Sequence, residues 1–175
     1  YCVEYMRCFI IHSDNDGQTW SPPREITKAL DTCRTVIDWQ AIATGPGHGI
    51  ELANKRLVVP IWLADYRLTS TTKGVATTLF SDDGGTTWFT EEISMVGGNE
   101  ANVVELSDGS VMLTARNGDP RQRRLASFSK DGGTGWSPPD IIKEIKEPGC
   151  MAGVTRLESL DGEAAAILFS NVQVT

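Results

Sequence analysis

The sequence predicts an all-β protein, and two observations carry the prediction. Short apolar stretches recur along the chain with glycine, proline or Asn/Asp turns between them, while no segment sustains the 3.6-residue period of an amphipathic helix. Three of the turns are copies of one pattern. Ser13-Asp14-Asn15-Asp16-Gly17-Gln18-Thr19-Trp20, Ser81-Asp82-Asp83-Gly84-Gly85-Thr86-Thr87-Trp88 and Ser129-Lys130-Asp131-Gly132-Gly133-Thr134-Gly135-Trp136 align on the frame Ser-x-Asp-x-Gly-x-Thr-Trp. A hairpin corner needs this chemistry: a short carboxylate or amide to accept backbone N–H bonds, a glycine for positive φ, and a terminal aromatic to plug the turn into the core.

In chain order, a strand over 2–12 leads into the first copy. Residues 24–31 hint at a helical turn. Strands over 49–53 and 56–64 are joined by the tight turn Asn54-Lys55, and 73–80 runs into the second copy. Strands over 101–106 and 110–116 flank Ser107-Asp108-Gly109, 123–129 runs into the third copy, and 149–157 and 164–170 close the series. No low-complexity linker interrupts it, so residues 1–175 read as one domain.

Bulk properties exclude several classes. A net charge of −7 and a pI near 4.8 argue against nucleic acid, whose binding is driven by clustered Lys and Arg. The one basic cluster, Arg121, Arg123 and Arg124, follows Asp119-Pro120 and reads as a solvated turn. No stretch approaches the roughly 20 apolar residues of a membrane span, and no signal peptide is visible. Cys2, Cys8, Cys33 and Cys150 lack metal-ligand spacing, as do His12 and His48, so buried free thiols and no metal are expected. An EF-hand is excluded as well. With Gly17 or Gly84 at the invariant glycine, His12 or Leu79 would occupy the first ligand position and Pro23 or Thr90 the last, where carboxylates are required.

The repeated frame resembles the Asp box, or bacterial neuraminidase repeat, with Asn15 at the Asp position of the first copy and Gly135 at the Thr position of the third. The resemblance implies a β-propeller in which boxes close the outer strands of the blades, on the face away from ligand, and therefore a structural role. At roughly 40 to 50 residues per four-stranded blade, the chain supplies three to four blades, and it looks like a segment of a longer protein.

Between the boxes the resemblance becomes specific. Ala43-Thr44-Gly45-Pro46-Gly47-His48-Gly49-Ile50-Glu51-Leu52, with the strand Lys55 to Trp62 after it, is similar to the Gly-Pro-Gly-x-Gly-Ile loop of exo-α-sialidases. Asn99-Glu100-Ala101-Asn102 through Leu113-Thr114-Ala115-Arg116-Asn117 resembles the same family's hairpin bearing its catalytic Glu and second arginine. That resemblance implies a six-bladed propeller acting as a retaining glycoside hydrolase, with sialylated glycans as partners and no cofactor. Arg116 matches an arginine that holds the sialic acid carboxylate, for which a planar guanidinium is better suited than an ammonium. Glu100 matches the general base of a tyrosine nucleophile, a neutral attacker suited to an anomeric centre that carries a carboxylate. Glu105 and Asp108 are expected to be structural.

Trp62 stands where related sialidases place an aromatic against the sugar, although a strand-end aromatic is as readily core. Trp39 and the loop 147–151, Glu-Pro-Gly-Cys-Met, are weaker candidates for the cleft. The first arginine and the Asp acid/base of the family fall before the first box, and the third arginine and the tyrosine after a segment like Ile167 to Asn171. Tyr1, Tyr5 and Tyr66 lie in the wrong contexts for that tyrosine, so the chain alone is expected to be inactive. A trans-sialidase would use the same residues; a non-catalytic Asp-box propeller that binds glycan or protein is the alternative from another class. The compartment stays open, with an extracellular or cell-envelope setting favoured.

Overall fold

A computed structural model describes residues 5–65, 67, 74–118, 120–157 and 166–172. The strands are β1 (Phe9–Ile10), β2 (Arg24–Glu25), β3 (Ala41–Thr44), β4 (Ile50–Glu51), β5 (Leu57–Ala64), β6 (Gly74–Ser81), β7 (Met95–Val96), β8 (Gly98–Glu105), β9 (Val111–Asn117), β10 (Arg123–Ser129), β11 (Asp140–Lys146), β12 (Ala152–Leu157) and β13 (Ala166–Asn171). A 3₁₀ segment, Thr27–Thr35, lies between β2 and β3. Among the described residues the strands form four antiparallel sheets in chain order: β1-β2; β3-β5-β6-β7, with β4 also on β5; β8-β9-β10-β11; and β12-β13.

The all-β expectation holds, with differences at particular elements. Of the strand expected over 2–12, residues 2–4 lie outside the described residues, and among the described ones only Phe9–Ile10 is ladder-bonded; the helical turn expected at 24–31 is displaced to Thr27–Thr35. Leu30 and Cys33, three apart and so on one side of a 3₁₀ turn, are the buried residues of that segment. Four strands lie outside the expected ones: β2, β3, β7 and β11. β11 reads Asp-Ile-Ile-Lys-Glu-Ile-Lys and is an outer strand exposed along much of its length, so it lacks the alternation that announces a half-buried strand. Lys55 and Gly109, in the two predicted tight turns, adopt positive φ of 74° and 81°. Cys8 and Cys33 are buried free thiols, pushed up in pKa by burial, but Cys150 is exposed; Cys2 and Tyr66 lie outside the described residues.

The core sits between the sheets. On β8 and β9, alternate side chains point to opposite neighbours, as the two-residue strand period requires. Ala101, Val103, Val111, Leu113 and Ala115 pack with Val58, Ala76, Phe80 and Met95 of the second sheet. Val104 and Met112 pack with Val154 of the fourth. A third cluster joins Cys8, Leu30, Cys33 and Trp39 to Ile61, Leu63, Val75 and Leu79 of the second sheet. Burial on both faces is what lets β6 be buried at every position.

The boxes are built alike. In each, the serine hydroxyl accepts the N–H of the frame glycine, at 2.8 Å for Gly17, 2.8 Å for Gly85 and 3.0 Å for Gly133. Those glycines all hold positive φ, at 79°, 87° and 96°, a region closed to side chains with a Cβ at little cost. Asp83 accepts both the N–H and the hydroxyl of Thr87, at 2.7 and 2.6 Å. Asn15 preserves this geometry by reversing one bond: its carbonyl accepts the Thr19 N–H at 2.9 Å while its amide donates to the Thr19 hydroxyl at 2.9 Å.

Each box sits in a different sheet, as expected, yet the expectation of three buried tryptophans fails. Trp20 is 59% exposed, and Trp88 and Trp136 are half-buried. The reason lies in how the boxes dock. Trp136 packs on the cluster that includes Leu52 and Val58 of the second sheet, and Trp88 on the cluster that includes Leu30 and Cys33 ahead of that sheet. Polar contacts follow the same direction. Arg56 donates to the carbonyls of Asp131 and Gly132 at 3.1 and 3.3 Å, Thr78 to that of Gly133 at 2.9 Å, and Arg24 to that of Gly85 at 2.5 Å. A box leans on the sheet before it, and Trp20 belongs to the first described sheet.

Two outcomes follow for the intact protein. Trp136→Ala should cost about 1.5 kcal/mol or more in denaturant titration, since the indole packs an inter-sheet contact; a cost near zero would contradict this docking. The hydrogen bonds from Thr87 hold the Asp83 carboxyl at about 2, below its ordinary 3.8. Stability from this group is therefore full above the ordinary value and lost as pH falls through about 2. Asp83→Asn should flatten the acid limb of a melting-temperature profile in that window.

Candidate functional site

The hairpin of β8 and β9 carries its polar residues at the end away from the third box. Val111 pairs with Ser129, where the box begins, and Gly98 pairs with Asn117 at the other end. Between the pairs Gly98↔Asn117 and Ala101↔Ala115 the register slips, so Asn99 and Glu100 together oppose Arg116. Such a bulge re-aims side chains and is frequent beside functional sites. It brings Arg116 Nη1 to 3.0 Å from Glu100 Oε2, with the two side chains 38% and 25% exposed. Sixteen positions apart in sequence, the two residues predicted to share a site form one half-buried ion pair.

The loop after β3 forms one wall. Pro46 bridges to Ala101, and a Cβ on Gly47 would lie 2.2 Å from Asn102 Oδ1 and 2.8 Å from the Ala101 carbonyl, so only glycine permits this approach. Trp62 pairs across the sheet with Ala43. Together Thr44, Pro46, Trp62 and Glu100 line an open cleft of about 640 Å³, along with Arg7, Cys8 and Phe9. Trp62 is half-buried on that cleft wall and not in the core. A second cavity of about 340 Å³, lined by Pro46, His48, Asn102 and Met151, adjoins the same loop.

Two weaker expectations resolve differently. Trp39 is fully buried, with the Arg34 guanidinium 4.1 Å above its ring, and belongs to the core. The loop 147–151 does reach the cavity, through Met151, while Asn102 donates to the Ala152 carbonyl at 2.6 Å. Glu105 accepts the Ala53 N–H and Asp108 the Ser110 N–H, both as turn and strand supports. Among the described residues no group of three or more His, Cys, Asp or Glu gathers to hold a metal, and no helix is long and apolar enough to cross a membrane.

The basic cluster requires correction. Arg121 is exposed and Arg123 half-buried, but Arg124 is wholly enclosed, with its Nη1 2.6 Å from Glu147 Oε2 in a pair whose side chains are 0% and 2% exposed. Burial pushes this guanidinium down from its ordinary value against the opposing pull of Glu147. A signal for it was present in the sequence: Arg124 falls inside the strand predicted over 123–129, where alternation directs it inward with Ala126. A charge in that position needs a buried partner.

Comparison with known proteins agrees with this arrangement. The family model described as a BNR repeat-like domain matches residues 2–174. A sialidase of Bacteroides fragilis is 31% identical over 93% of this chain and 29% of its own length, and human sialidase-3 is 30% identical over 88% of the chain and 38% of its own. The chain thus spans about a third of the length of these curated relatives. Among solved structures, a Hadza microbial sialidase superposes with a TM-score of 0.74 at 29% identity, over 93% of this chain and 31% of that one. An intramolecular trans-sialidase from Ruminococcus gnavus does so at 0.73 and 28%, over 93% and 32%. Boxes, hairpin and matches together give one conclusion: this chain belongs to the sialidase family with BNR repeats.

Proposed function

We propose that this chain is the central part of a six-bladed β-propeller exo-α-sialidase, a retaining glycoside hydrolase that removes terminal sialic acids from glycoconjugates. The Glu100–Arg116 pair, set at a bulge beside a cleft and at the end of its sheet opposite the box, is the observation that carries the reading. Sialic acid bears a carboxylate on its anomeric carbon. Arg116 uses Nη1 toward Glu100, and its other guanidinium nitrogens are left to take that carboxylate through charge-assisted bonds.

Glu100 acts as the general base. Its role is to accept the phenolic proton of a tyrosine as that oxygen attacks the anomeric carbon and the aglycone leaves. Water then cleaves the tyrosyl glycoside with retention. The tyrosine, the acid/base aspartate and two further arginines belong to sequence outside this chain, which on its own has a base with no nucleophile to activate. Trp62, on the cleft wall, packs on the sugar.

The likeness to the Ruminococcus gnavus trans-sialidase supports a second reading, in which a hydroxyl of the substrate takes the place of water. Product analysis of the intact enzyme separates the two, since hydrolysis releases free sialic acid and intramolecular transfer an anhydro product.

Release of a fluorogenic α-sialoside by the intact protein tests the site. Glu100→Gln should lower kcat by about 10²- to 10⁴-fold, the usual general-base contribution. Arg116→Lys keeps the charge but loses the planar fork, and should raise KM by about ten-fold or more. Full activity in Glu100→Gln would refute the role given to it.

A further inference from the structure

Arg124 has no part in the chemistry just described, yet four separate groups accept from it. Nε donates to Thr114 Oγ1 at 3.1 Å, Nη1 to Glu147 Oε2 at 2.6 Å and to the Cys150 carbonyl at 3.3 Å, and Nη2 to the Glu100 carbonyl at 3.4 Å. Glu147 in turn accepts the N–H groups of Gly149 and Cys150 at 2.8 and 3.0 Å through its other oxygen. One enclosed ion pair therefore ties together the middle of β9, the bulge on β8 and the loop that leads to Met151.

We propose that Arg124 and Glu147 are a positioning pair for the Glu100 carboxylate, fixing the bulge from behind and moulding the loop 147–151, which reaches the adjoining cavity through Met151, around the same anchor. The inference rests on the reading of Glu100 as general base. Its physical warrant is the register. The slip leaves Asn99 and Glu100 without one-to-one partners on β9, so the ladder alone does not specify where Glu100 sits. A rigid, planar guanidinium anchored to Thr114 on the neighbouring strand supplies that constraint, because its donors have fixed directions. Stability is a weak account of the pair, since apolar residues of similar volume are often at least as stabilising as a buried ion pair. The device acts on Glu100 by way of its backbone, whereas Arg116 acts on its carboxylate directly.

The test compares Arg124→Lys and the apolar double substitution Arg124→Met with Glu147→Leu in the intact enzyme, each against a fluorogenic α-sialoside and in thermal melting. Misplacement of a base by about 1 Å costs up to about 100-fold in rate. The expected result is a fall in kcat of at least about ten-fold per folded molecule in Arg124→Lys and in the double variant, with KM changed less than about three-fold and the double variant still melting cooperatively. Wild-type kcat per folded molecule in both would overturn the proposal, leaving the pair a packing feature. Should the double variant not fold, Arg124→Lys decides by the same split, because lysine keeps the charge beside Glu147 but cannot reach Thr114, Cys150 and Glu100 at once. Wild-type activity in Glu100→Gln would overturn the general-base reading and this proposal with it, so the two failures are told apart by which variant keeps its rate.

Discussion

The second and third sheets each dock on the one before, and the contact that makes them do so is a box carbonyl accepting a hydrogen bond from a side chain of the preceding sheet. Arg56 shows the arrangement most fully. It holds Asp82 at the start of the box in its own sheet, at 2.6 and 2.8 Å, while donating to two carbonyls of the next box. It also lies over the Phe80 ring at 4.5 Å. The pairing with Arg56 lowers the Asp82 pKa, the electrostatic counterpart of the same contact. Small antiparallel sheets cannot bury both faces alone, so stacking in series is what creates a core here.

That constraint also divides labour between the two ends of the sheets. At the box end, turn chemistry and inter-sheet bonds absorb the polar groups, and the box residues are committed to structure. At the other end of β8 and β9 the ladder slips, and Glu100, paired with Arg116, lines a cleft. A bulge at the rim costs little in pairing because the rest of the hairpin, from Ala101↔Ala115 to Glu105↔Val111, is in unbroken register. The rigid part of the hairpin thus serves as a platform for the irregular part.

What the sequence made legible follows from how local each signal is. Box turns were readable because every hydrogen bond within them spans at most five residues, as in Ser81, Asp83 and Thr87. The Glu100–Arg116 contact was accessible because a tight turn at Ser107-Asp108-Gly109 folds the two strands back on each other. The exposure of Trp20 depends on packing between sheets, which no local pattern encodes. β11 was missed since an exposed outer strand need not alternate, and Arg124 because its partner lies 23 positions away across a turn. Charged residues next to Asp-Pro read as solvent-facing unless the strand's alternation is followed back to them.

The two ion pairs near the cleft are built for different duties. Arg116 and Glu100 are partly open to water, where such a pair contributes on the order of 1 kcal/mol or less. On the proposed reading, an incoming carboxylate can therefore share or take Arg116 at small cost. Arg124 and Glu147 are sealed from solvent, and parting them would leave a buried charge uncompensated, which is costly. Rearrangement is thereby confined to the outer pair. On that same reading the inner pair would keep the backbone beneath it in place while the outer one exchanges partners, so that the cleft accepts an anion without loosening the strand that carries the proposed base.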